Sequence, residues 1–284
     1  MKPRKLQPYE HIRTRQLWEE IFTEDTPEFL DYYYSEKTRD NEIYVIEDGD
    51  EIVSMLHLNP YEMRIRDKVY QTHYIVAVAT KEAYRKRGLM RQLLNHALQI
   101  MTERGEPFTF LMPAAEAIYK PFGFEFIYEQ NREKVYGTRC ADTGLELEYA
   151  VERDCEAVAE FANQWLRKYE VVTWRNAEYY KVLLAELASE DGGILLAKRS
   201  GKLEGVFCYA CSGGEDKHFV IREPLFQNEQ DLQSVIYKLT GNETEEALCI
   251  AYGKEMKPMI MAKVLNPEFN LDLKKEKVFL NEVV

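Results

Sequence analysis

The sequence predicts an α/β protein of the α+β kind, with a mixed central sheet flanked by helices in each of two successive domains. The chain has 284 residues, which exceeds one average domain. Segments with helical periodicity alternate with apolar strand-like runs along its whole length. A stretch with two glycines and small polar residues, 136–144, interrupts this pattern. We therefore expect a first domain at 1–137, a second at 145–270, and a C-terminal strand or tail at 271–284.

The first half of the chain predicts one helix, two hairpins and then alternating helices and strands. Apolar residues at helical spacing predict the helices. Turn signals at Glu47-Asp48-Gly49-Asp50 and at Asp67-Lys68 separate the apolar runs of the hairpins. The expected elements are a helix at 9–23, strands at 43–46, 52–58, 63–65 and 69–79, a helix at 90–102, a strand at 107–112, a short helix at 114–120 and a strand at 124–136.

The second half predicts a similar order of elements, although its sequence similarity to the first half is low. A turn at Ser200-Gly201 separates two of its strands. The expected elements are helices at 151–169 and 176–188, strands at 193–197 and 203–211, a helix at 228–239, a strand at 246–252 and a final strand at 278–284.

Composition and charge narrow the function classes. The net charge of −12 disfavours binding to nucleic acid or to anionic membranes, and it weakly favours cationic partners such as amines. No apolar run approaches the roughly 20 residues of a membrane helix, and no secretory signal is evident, so we expect a cytoplasmic protein. The five cysteines predict reduced thiols. Cys208 and Cys211 lie in a predicted strand without a second pair, so we expect no metal site.

A cluster of cations marks the start of the helix predicted at 90–102. Arg85, Lys86, Arg87 and Arg91 surround Gly88, where an apolar strand turns into the helix. The positive end of the helix dipole lies there, so cations at that place reduce stability unless an anion completes the site. The pattern predicts a pyrophosphate site, and a solvated basic patch is the alternative.

A second signal follows at Tyr119-Lys120-Pro121-Phe122-Gly123-Phe124, where a tyrosine on a short helix precedes a glycine that opens a strand. Taken alone, Tyr119 is as easily a packed aromatic residue. Together, the two signals resemble the GNAT superfamily of N-acetyltransferases over roughly residues 9–136. The coenzyme loop Q/R-x-x-G-x-G/A stands here as Arg85–Met90, with Met90 in place of the last small residue, and Y-x-x-x-G-F is intact.

The sequence is more closely similar to the enhanced-intracellular-survival (Eis-like) branch, whose loop R-x-R-G-L-[LM]-R matches Arg85–Arg91. That resemblance implies a second GNAT-like domain without a coenzyme loop, as expected at 145–270. Members of the branch usually add a sterol-carrier-like third domain, of which only 261–268 and the final strand resemble a remnant. Members often form hexamers, so the resemblance makes a homo-oligomer one option.

The resemblance also implies a mechanism in which acetyl-coenzyme A is the co-substrate and an amine is the acetyl acceptor. The strand before the loop would pair with the pantetheine arm, the loop and helix start would hold the pyrophosphate, and Tyr119 would protonate the leaving thiolate. A bulky residue in place of Gly88 should block the close approach of the phosphate. The implied coenzyme-binding residues are Val78, Ala79, Thr80, Arg85, Lys86, Arg87, Gly88, Leu89, Met90 and Arg91.

Several alternatives stay open at this point. The base that deprotonates the amine is the C-terminal carboxylate of Val284, Glu116, His73 or a water chain. The acceptor is a small amine, a peptide N-terminus or a lysine. Acidic residues at positions 24, 25, 28 and 31 either hold a polyamine or an aminoglycoside, or form a solvated face. Beside an acetyltransferase, the sequence allows a non-catalytic coenzyme A sensor, or an interaction protein of two degenerate α/β domains.

Overall fold

The computed structural model describes residues 1–139, 144–212 and 218–282, and its helices and strands have the mixed α/β character that the sequence predicts. No helix in these ranges is long and apolar enough to cross a membrane. The α-helices are α1 (Arg15–Ile21), α2 (Pro27–Ser35), α3 (Leu89–Glu103), α4 (Glu116–Tyr119), α5 (Cys155–Trp165), α6 (Ala177–Ala188) and α7 (Glu229–Thr240). The strands are β1 (Arg4–Lys5), β2 (Glu42–Asp48), β3 (Glu51–Ile65), β4 (Lys68–Thr80), β5 (Phe108–Leu111), β6 (Glu125–Tyr136), β7 (Leu145–Tyr149), β8 (Val171–Thr173), β9 (Gly193–Arg199), β10 (Lys202–Ser212), β11 (His218–Phe226), β12 (Glu246–Ile250), β13 (Glu255–Val264) and β14 (Val278–Phe279).

The chain divides into two compact units, each assembled from separate stretches of sequence. Unit 1 consists of Met1–Tyr128, Tyr169–Trp174 and Met259–Val284, and unit 2 consists of Glu129–Lys168 and Arg175–Pro258. These units differ from the predicted ranges 1–137, 145–270 and 271–284, because late segments of the chain pair with early strands. The assignment of the predicted ranges to functional domains stays a prediction.

The sheet of unit 1 has the strand order β1-β2-β3-β4-β5-β13. Strands β2, β3 and β4 form an antiparallel meander. Helix α3 then leads to β5, which runs parallel to β4. The last place is taken by a strand from far along the chain, since Met261–Val264 pairs antiparallel with β5.

The sheet of unit 2 repeats this plan with the order β7-β9-β10-β11-β12-β6. Strands β9, β10 and β11 form the antiparallel meander. Helix α7 leads to β12, which runs parallel to β11 and pairs antiparallel with Arg132–Tyr136 of β6. Buried apolar residues of its helices and strands form two core clusters. Both units therefore have the same sequence of helix pair, meander, helix and parallel strand.

The sequence located most elements, but among the described residues it missed helix α2 and five strands, namely β1, β7, β8, β11 and β13. Helix α2 falls in a region for which no helix was predicted. Strands β11 and β13 were not predicted either. The predicted 63–65 strand is the end of one long β3, and the final strand is only Val278–Phe279, with 283–284 outside the described residues.

Helix α3 positions the candidate site of unit 1, and its sequence explains its orientation. The residues Leu89, Leu93, Leu94, Ala97, Leu98 and Met101 recur at helical spacing and are all buried. The opposite face carries exposed polar residues. Burial of this stripe fixes the helix on the sheet, so its N-terminus is held at the end of β4, where the sequence predicted the anion site.

Candidate active site

Strand β4 carries a β-bulge immediately before the predicted coenzyme loop. The register runs from Val76 opposite His57 to Ala79 opposite Met55, so two residues of β4 face one residue of β3. The first of these two, Ala77, has φ 51°, which is uncommon for a residue with a side chain. The bulge redirects the last residues of β4 next to the loop.

On its other edge, β4 pairs with β5 at Tyr74 opposite Phe110. Hydroxyls support this junction, because Thr109 Oγ1 donates to the carbonyl of His73 at 2.8 Å. Beyond the junction, the predicted pantetheine segment Val78–Thr80 stays paired with β3 on one edge. On its other edge, it pairs with no described strand. Two of its carbonyls accept side-chain hydrogen bonds within the chain, Ala79 from Ser54 at 2.9 Å and Thr80 from Arg85 Nε at 3.2 Å.

The N-terminus of α3 is open. Gly88 is the N-cap residue with φ 77° and makes no side-chain cap hydrogen bond. Helix geometry leaves the N–H groups of Leu89, Met90 and Arg91 without intrahelical acceptors. A Cβ added to Gly88 would have no heavy atom within 4 Å. Free donors, the positive end of the helix dipole and open space therefore coincide here, which is the arrangement that binds a phosphate group.

The basic residues of the loop differ in their surroundings. Arg87 donates to the Ala83 carbonyl at 2.8 Å, and its guanidinium lies 4.8 Å from the Tyr84 ring centre. Tyr84 in turn donates to Asp48 at 2.8 Å. Arg87 thus ties the loop together, whereas Lys86, with φ 62°, is exposed. The exposed side chains of Arg85 and Arg91 also lie at the helix start.

Tyr119 ends the short helix α4 and is buried, with 6% of its surface exposed. Its ring packs edge-on against Phe124 at 6.0 Å between centroids. Burial raises the pKa of Tyr119 to about 12. A 3-10 turn, Lys120–Phe122, follows and ends at Gly123 with φ 84°, a conformation that favours glycine. This backbone conformation explains why the motif has glycine at position 123.

The structure brings the two sequence signals together. The Arg91 guanidinium, in the first turn of α3, lies 5.3 Å from the centre of the Phe122 ring. This is a cation–π distance, and Phe122 belongs to the turn that follows Tyr119. The open helix end and the buried tyrosine consequently share one region of unit 1.

The candidate bases differ in their burial and in the residues that they contact. His73 is buried and hydrogen-bonded through Nδ1 to Glu106 at 2.9 Å. Glu106 lies just beyond the C-terminal end of α3, the end opposite Gly88, because its N–H donates to the Met101 carbonyl. Glu116 is at the surface and pairs with Lys120 at 3.1 Å. Val284 lies outside the described residues.

The acidic residues before the first hairpin surround α2. Asp25 accepts a hydrogen bond from Trp18 Nε1 at 2.7 Å, and Asp31 pairs with Arg15 at 2.5 Å. Glu28 lies in the first turn of α2, where its charge favours the helix dipole. These contacts account for three of the four acidic residues without a ligand, and Glu24 has no assigned role.

The cysteines are the remaining candidate residues from the sequence. Cys208 is buried in β10, and burial raises the pKa of its thiol well above the ordinary value, as expected for a structural residue. Among the described residues, no three His, Cys, Asp or Glu side chains form a metal-binding group. Cys140 lies outside the described residues.

Sequence reasoning missed Lys263, whose Nζ donates to the Phe122 carbonyl at 2.6 Å, since its strand was not predicted.

Comparison with known families identifies the first part of the chain. Residues 2–127 match the family model described as an acetyltransferase (GNAT) domain. Residues 2–127 are a GNAT acetyltransferase domain. The protein is accordingly an acyltransferase, and the matched residues include both the open helix end and the Tyr119 turn. The comparison with curated proteins gives no match.

Solved structures share the fold of nearly the whole chain. A probable N-acyltransferase from Enterococcus faecalis has a TM-score of 0.77 at 17% identity, with 93% of this chain and 72% of that chain covered. A GCN5-related N-acetyltransferase from Kribbella flavida has a TM-score of 0.70 at 16% identity, with 93% and 72% covered. Eis1 from Mycobacterium abscessus has a TM-score of 0.64 at 12% identity, with 94% and 74% covered. At these identities the similarity establishes the fold.

Proposed function

We propose that this acyltransferase uses acetyl-coenzyme A to acetylate a primary amine, with the coenzyme at the α3 N-terminus and Tyr119 as the proton donor. The observation that carries the proposal is the contact between Arg91 and Phe122, which joins the two motifs in one region. Without it, the open helix end and the buried tyrosine would be unrelated features.

The residues at the α3 N-terminus fit the pyrophosphate of the coenzyme. The space beside Gly88 admits a group that a side chain would fill. The N–H groups of the first turn supply donors, and the exposed Arg85, Lys86 and Arg91 supply positive charge. The pantetheine arm would follow Val78–Thr80, along the edge of β4 beyond its junction with β5.

Each residue of the site has a task in acyl transfer. The bound coenzyme supplies the activated thioester. A backbone N–H of the Val78–Thr80 segment would stabilise the charge on the carbonyl oxygen during attack by the amine. Because burial raises the pKa of Tyr119 to about 12, its hydroxyl stays protonated at neutral pH and can donate a proton to the departing sulfur. The amine's own proton passes to water or to a base among Val284, Glu116 and His73.

The Eis-like branch remains our finer assignment. It is supported by the intact Arg85–Arg91 loop pattern and by the fold shared with Eis1 from Mycobacterium abscessus. We further propose that the acceptor is an aminoglycoside, a polyamine or a lysine-like amine, and that the protein forms a homo-oligomer. A net charge of −12 favours cationic acceptors of this kind.

The first test is thermal unfolding of the full chain with acetyl-coenzyme A, with AMP as the control ligand. At about 100 times its dissociation constant, a ligand adds about 2.7 kcal/mol to the stability of the folded state. We expect a rise of several degrees in the Tm that AMP does not reproduce. No shift for a folded protein would contradict the proposal.

The second test separates an enzyme from a coenzyme sensor. Thiol release from acetyl-coenzyme A is followed with spermidine, kanamycin and Nα-acetyl-lysine as acceptors, for the wild type and for Tyr119→Phe. We expect turnover with at least one amine and a loss of about 100-fold in kcat in the variant. Binding of acetyl-coenzyme A with no thiol release from any amine would favour a sensor.

A further inference from the structure

A lysine near the end of the chain contacts the turn that follows Tyr119. Lys263 lies on β13, and its Nζ donates a hydrogen bond of 2.6 Å to the carbonyl of Phe122. Phe122 is the last residue of the 3-10 turn between Tyr119 and Gly123. A half-buried ammonium thus holds the end of the segment that carries the candidate proton donor.

The base of this lysine is held by the sheet. Lys263 is paired with Thr109 of β5, and its neighbour Ala262 is paired with Phe110. Thr109 also donates through Oγ1 to the carbonyl of His73, which joins β5 to β4. The Cα of Lys263 is therefore fixed relative to the two strands that meet beside the bulge.

The turn itself leaves room for the ammonium. A Cβ added to Gly123 would lie 3.0 Å from Lys263 Nζ, closer than nearly all such contacts. The φ of 84° favours glycine at position 123, and a side chain there would also press on the ammonium of Lys263. A cation at the carbonyl end of a helical turn also interacts favourably with the dipole of that turn.

Phe122 is held from two directions. Its ring faces the guanidinium of Arg91 at 5.3 Å, and its carbonyl accepts the hydrogen bond from Lys263. Arg91 belongs to the helix end assigned to the coenzyme, and Lys263 belongs to the C-terminal segment of unit 1. Both contacts therefore hold Phe122, which lies three residues after Tyr119.

We infer that Lys263 is a positioning residue, which orients Tyr119 for protonation of the leaving thiolate through its hydrogen bond to Phe122. This inference rests on the proposed function, since it assigns Lys263 an effect only through Tyr119. It also gives the C-terminal segment a part in the reaction, because that segment supplies the lysine.

The activity test is a double-mutant cycle in the full chain between Lys263→Met and Tyr119→Phe, read as thiol release from acetyl-coenzyme A. The acceptor is whichever of the three amines turns over fastest, or water if none does. We expect Lys263→Met to lower kcat about tenfold, with the KM for acetyl-coenzyme A changed by less than about twofold. In the Tyr119→Phe background the same change should have almost no further effect on kcat. Lys263→Arg should restore most of the activity.

A structural readout does not depend on turnover. Hydrogen–deuterium exchange of the peptide covering 116–124 should accelerate in Lys263→Met, with the α3 peptide unchanged. Lys275→Met is the matched control, because Lys275 lies in the same C-terminal segment, has a side chain that is 83% exposed and forms an ion pair with Asp272. If Lys263→Met does not fold, Lys263→Leu, which also removes the ammonium and leaves the turn unchanged, replaces it in both experiments.

The outcomes are distinguishable. The role of Lys263 would be overturned if Lys263→Met lowered kcat by the same factor in the wild type and in Tyr119→Phe. Unchanged hydrogen–deuterium exchange at 116–124 would overturn it as well. Full activity of Tyr119→Phe would instead overturn the proton-donor assignment in the proposed function. We expect Lys263→Met to lower kcat in the wild type but not in Tyr119→Phe, and to accelerate exchange at 116–124.

Discussion

Helices α3 and α7 occupy the same place in the topologies of the two units, but their N-termini are opposite in character. Gly88 leaves the α3 terminus without a side-chain cap, next to exposed cations. In unit 2, the side chain of Asn228 caps α7 by accepting from the N–H of Gln230 at 3.1 Å. Glu229 and Asp231 place negative charges in its first turn. The chain's own side chains thus cap the α7 terminus and leave the α3 terminus without a cap.

The strands before these helices extend the contrast. Both carry a bulge, at Ala77 in β4 and at Arg222 in β11. Arg222 is paired with Glu186 and Glu190. Beyond β12, the ring of Tyr252 lies 5.8 Å from that of Phe226.

The hydroxyl of Tyr252 also bonds to Glu229 at 2.6 Å, in the first turn of α7. In unit 2, side chains therefore occupy the region that corresponds to the proposed coenzyme site. The two units therefore differ where the coenzyme is proposed to bind, because only unit 1 has a helix end without a side-chain cap.

The largest expected effect comes from placing a negative charge at the open terminus. Gly88→Asp should weaken acetyl-coenzyme A binding by at least about 100-fold, or about 2.7 kcal/mol, because a carboxylate there repels the pyrophosphate. Isothermal titration calorimetry measures the dissociation constant.

Gly105→Asp is the matched control for Gly88→Asp. Gly105 follows the other end of α3, also has a positive φ of 73°, and also has open space around it. Its substitution introduces the same strain and charge away from the site. Similar losses of affinity in both variants would contradict an anion site at Gly88.

A smaller effect should follow from removal of one cation. Arg91→Gln should weaken acetyl-coenzyme A binding about tenfold, since one charge-assisted hydrogen bond is lost. Arg39→Gln is the control, because the Arg39 side chain is 68% exposed and pairs with Glu36. The difference between the two variants should narrow as salt is added. Equal affinities at low salt would remove Arg91 from the site.

In unit 2, removal of the cap should change stability but not binding. Asn228→Ala should lower the free energy of unfolding by about 1 kcal/mol, the usual value of an N-cap hydrogen bond. Urea denaturation measures this, and Asn176→Ala, which removes the cap of α6, should have a similar effect. The affinity for acetyl-coenzyme A should stay the same. A changed affinity in Asn228→Ala would mean that the α7 terminus also takes part in coenzyme binding.

The smallest expected effect is on the alkaline side of the pH–rate profile. Burial raises the pKa of Tyr119 to about 12, so its protonated form, the donor, persists above the ordinary pKa of about 10. The rate should rise as the amine loses its proton and should not fall up to about pH 10. A fall with an apparent pKa near 9 that Tyr119→Phe abolishes would contradict this.

The sequence predicted helix α3 better than it predicted the pairing of distant strands. Local signals were sufficient for α3, whose apolar stripe and preceding Gly88 are both in the sequence. Helix α2 had its signals too, because Thr26 caps it and Pro27 is its first residue. Its run of tyrosines is more typical of strands, and the helix was missed.

Other features depend on pairing between distant segments, which no local pattern reports. Pro224 in β11 and Pro258 in β13 argue against strands in a sequence. The pairing of Met261–Val264 with β5 then moved a late segment into unit 1. That pairing is also what brings Lys263 to Phe122, so the positioning lysine was not predictable.

The most direct test of the account is the stoichiometry of acetyl-coenzyme A binding to the full chain, measured by isothermal titration calorimetry. We expect one molecule per chain, because the α3 terminus has no side-chain cap and the α7 terminus is capped by Asn228. The single site should disappear in Gly88→Asp. Two sites per chain, or one site that persists in Gly88→Asp, would contradict it.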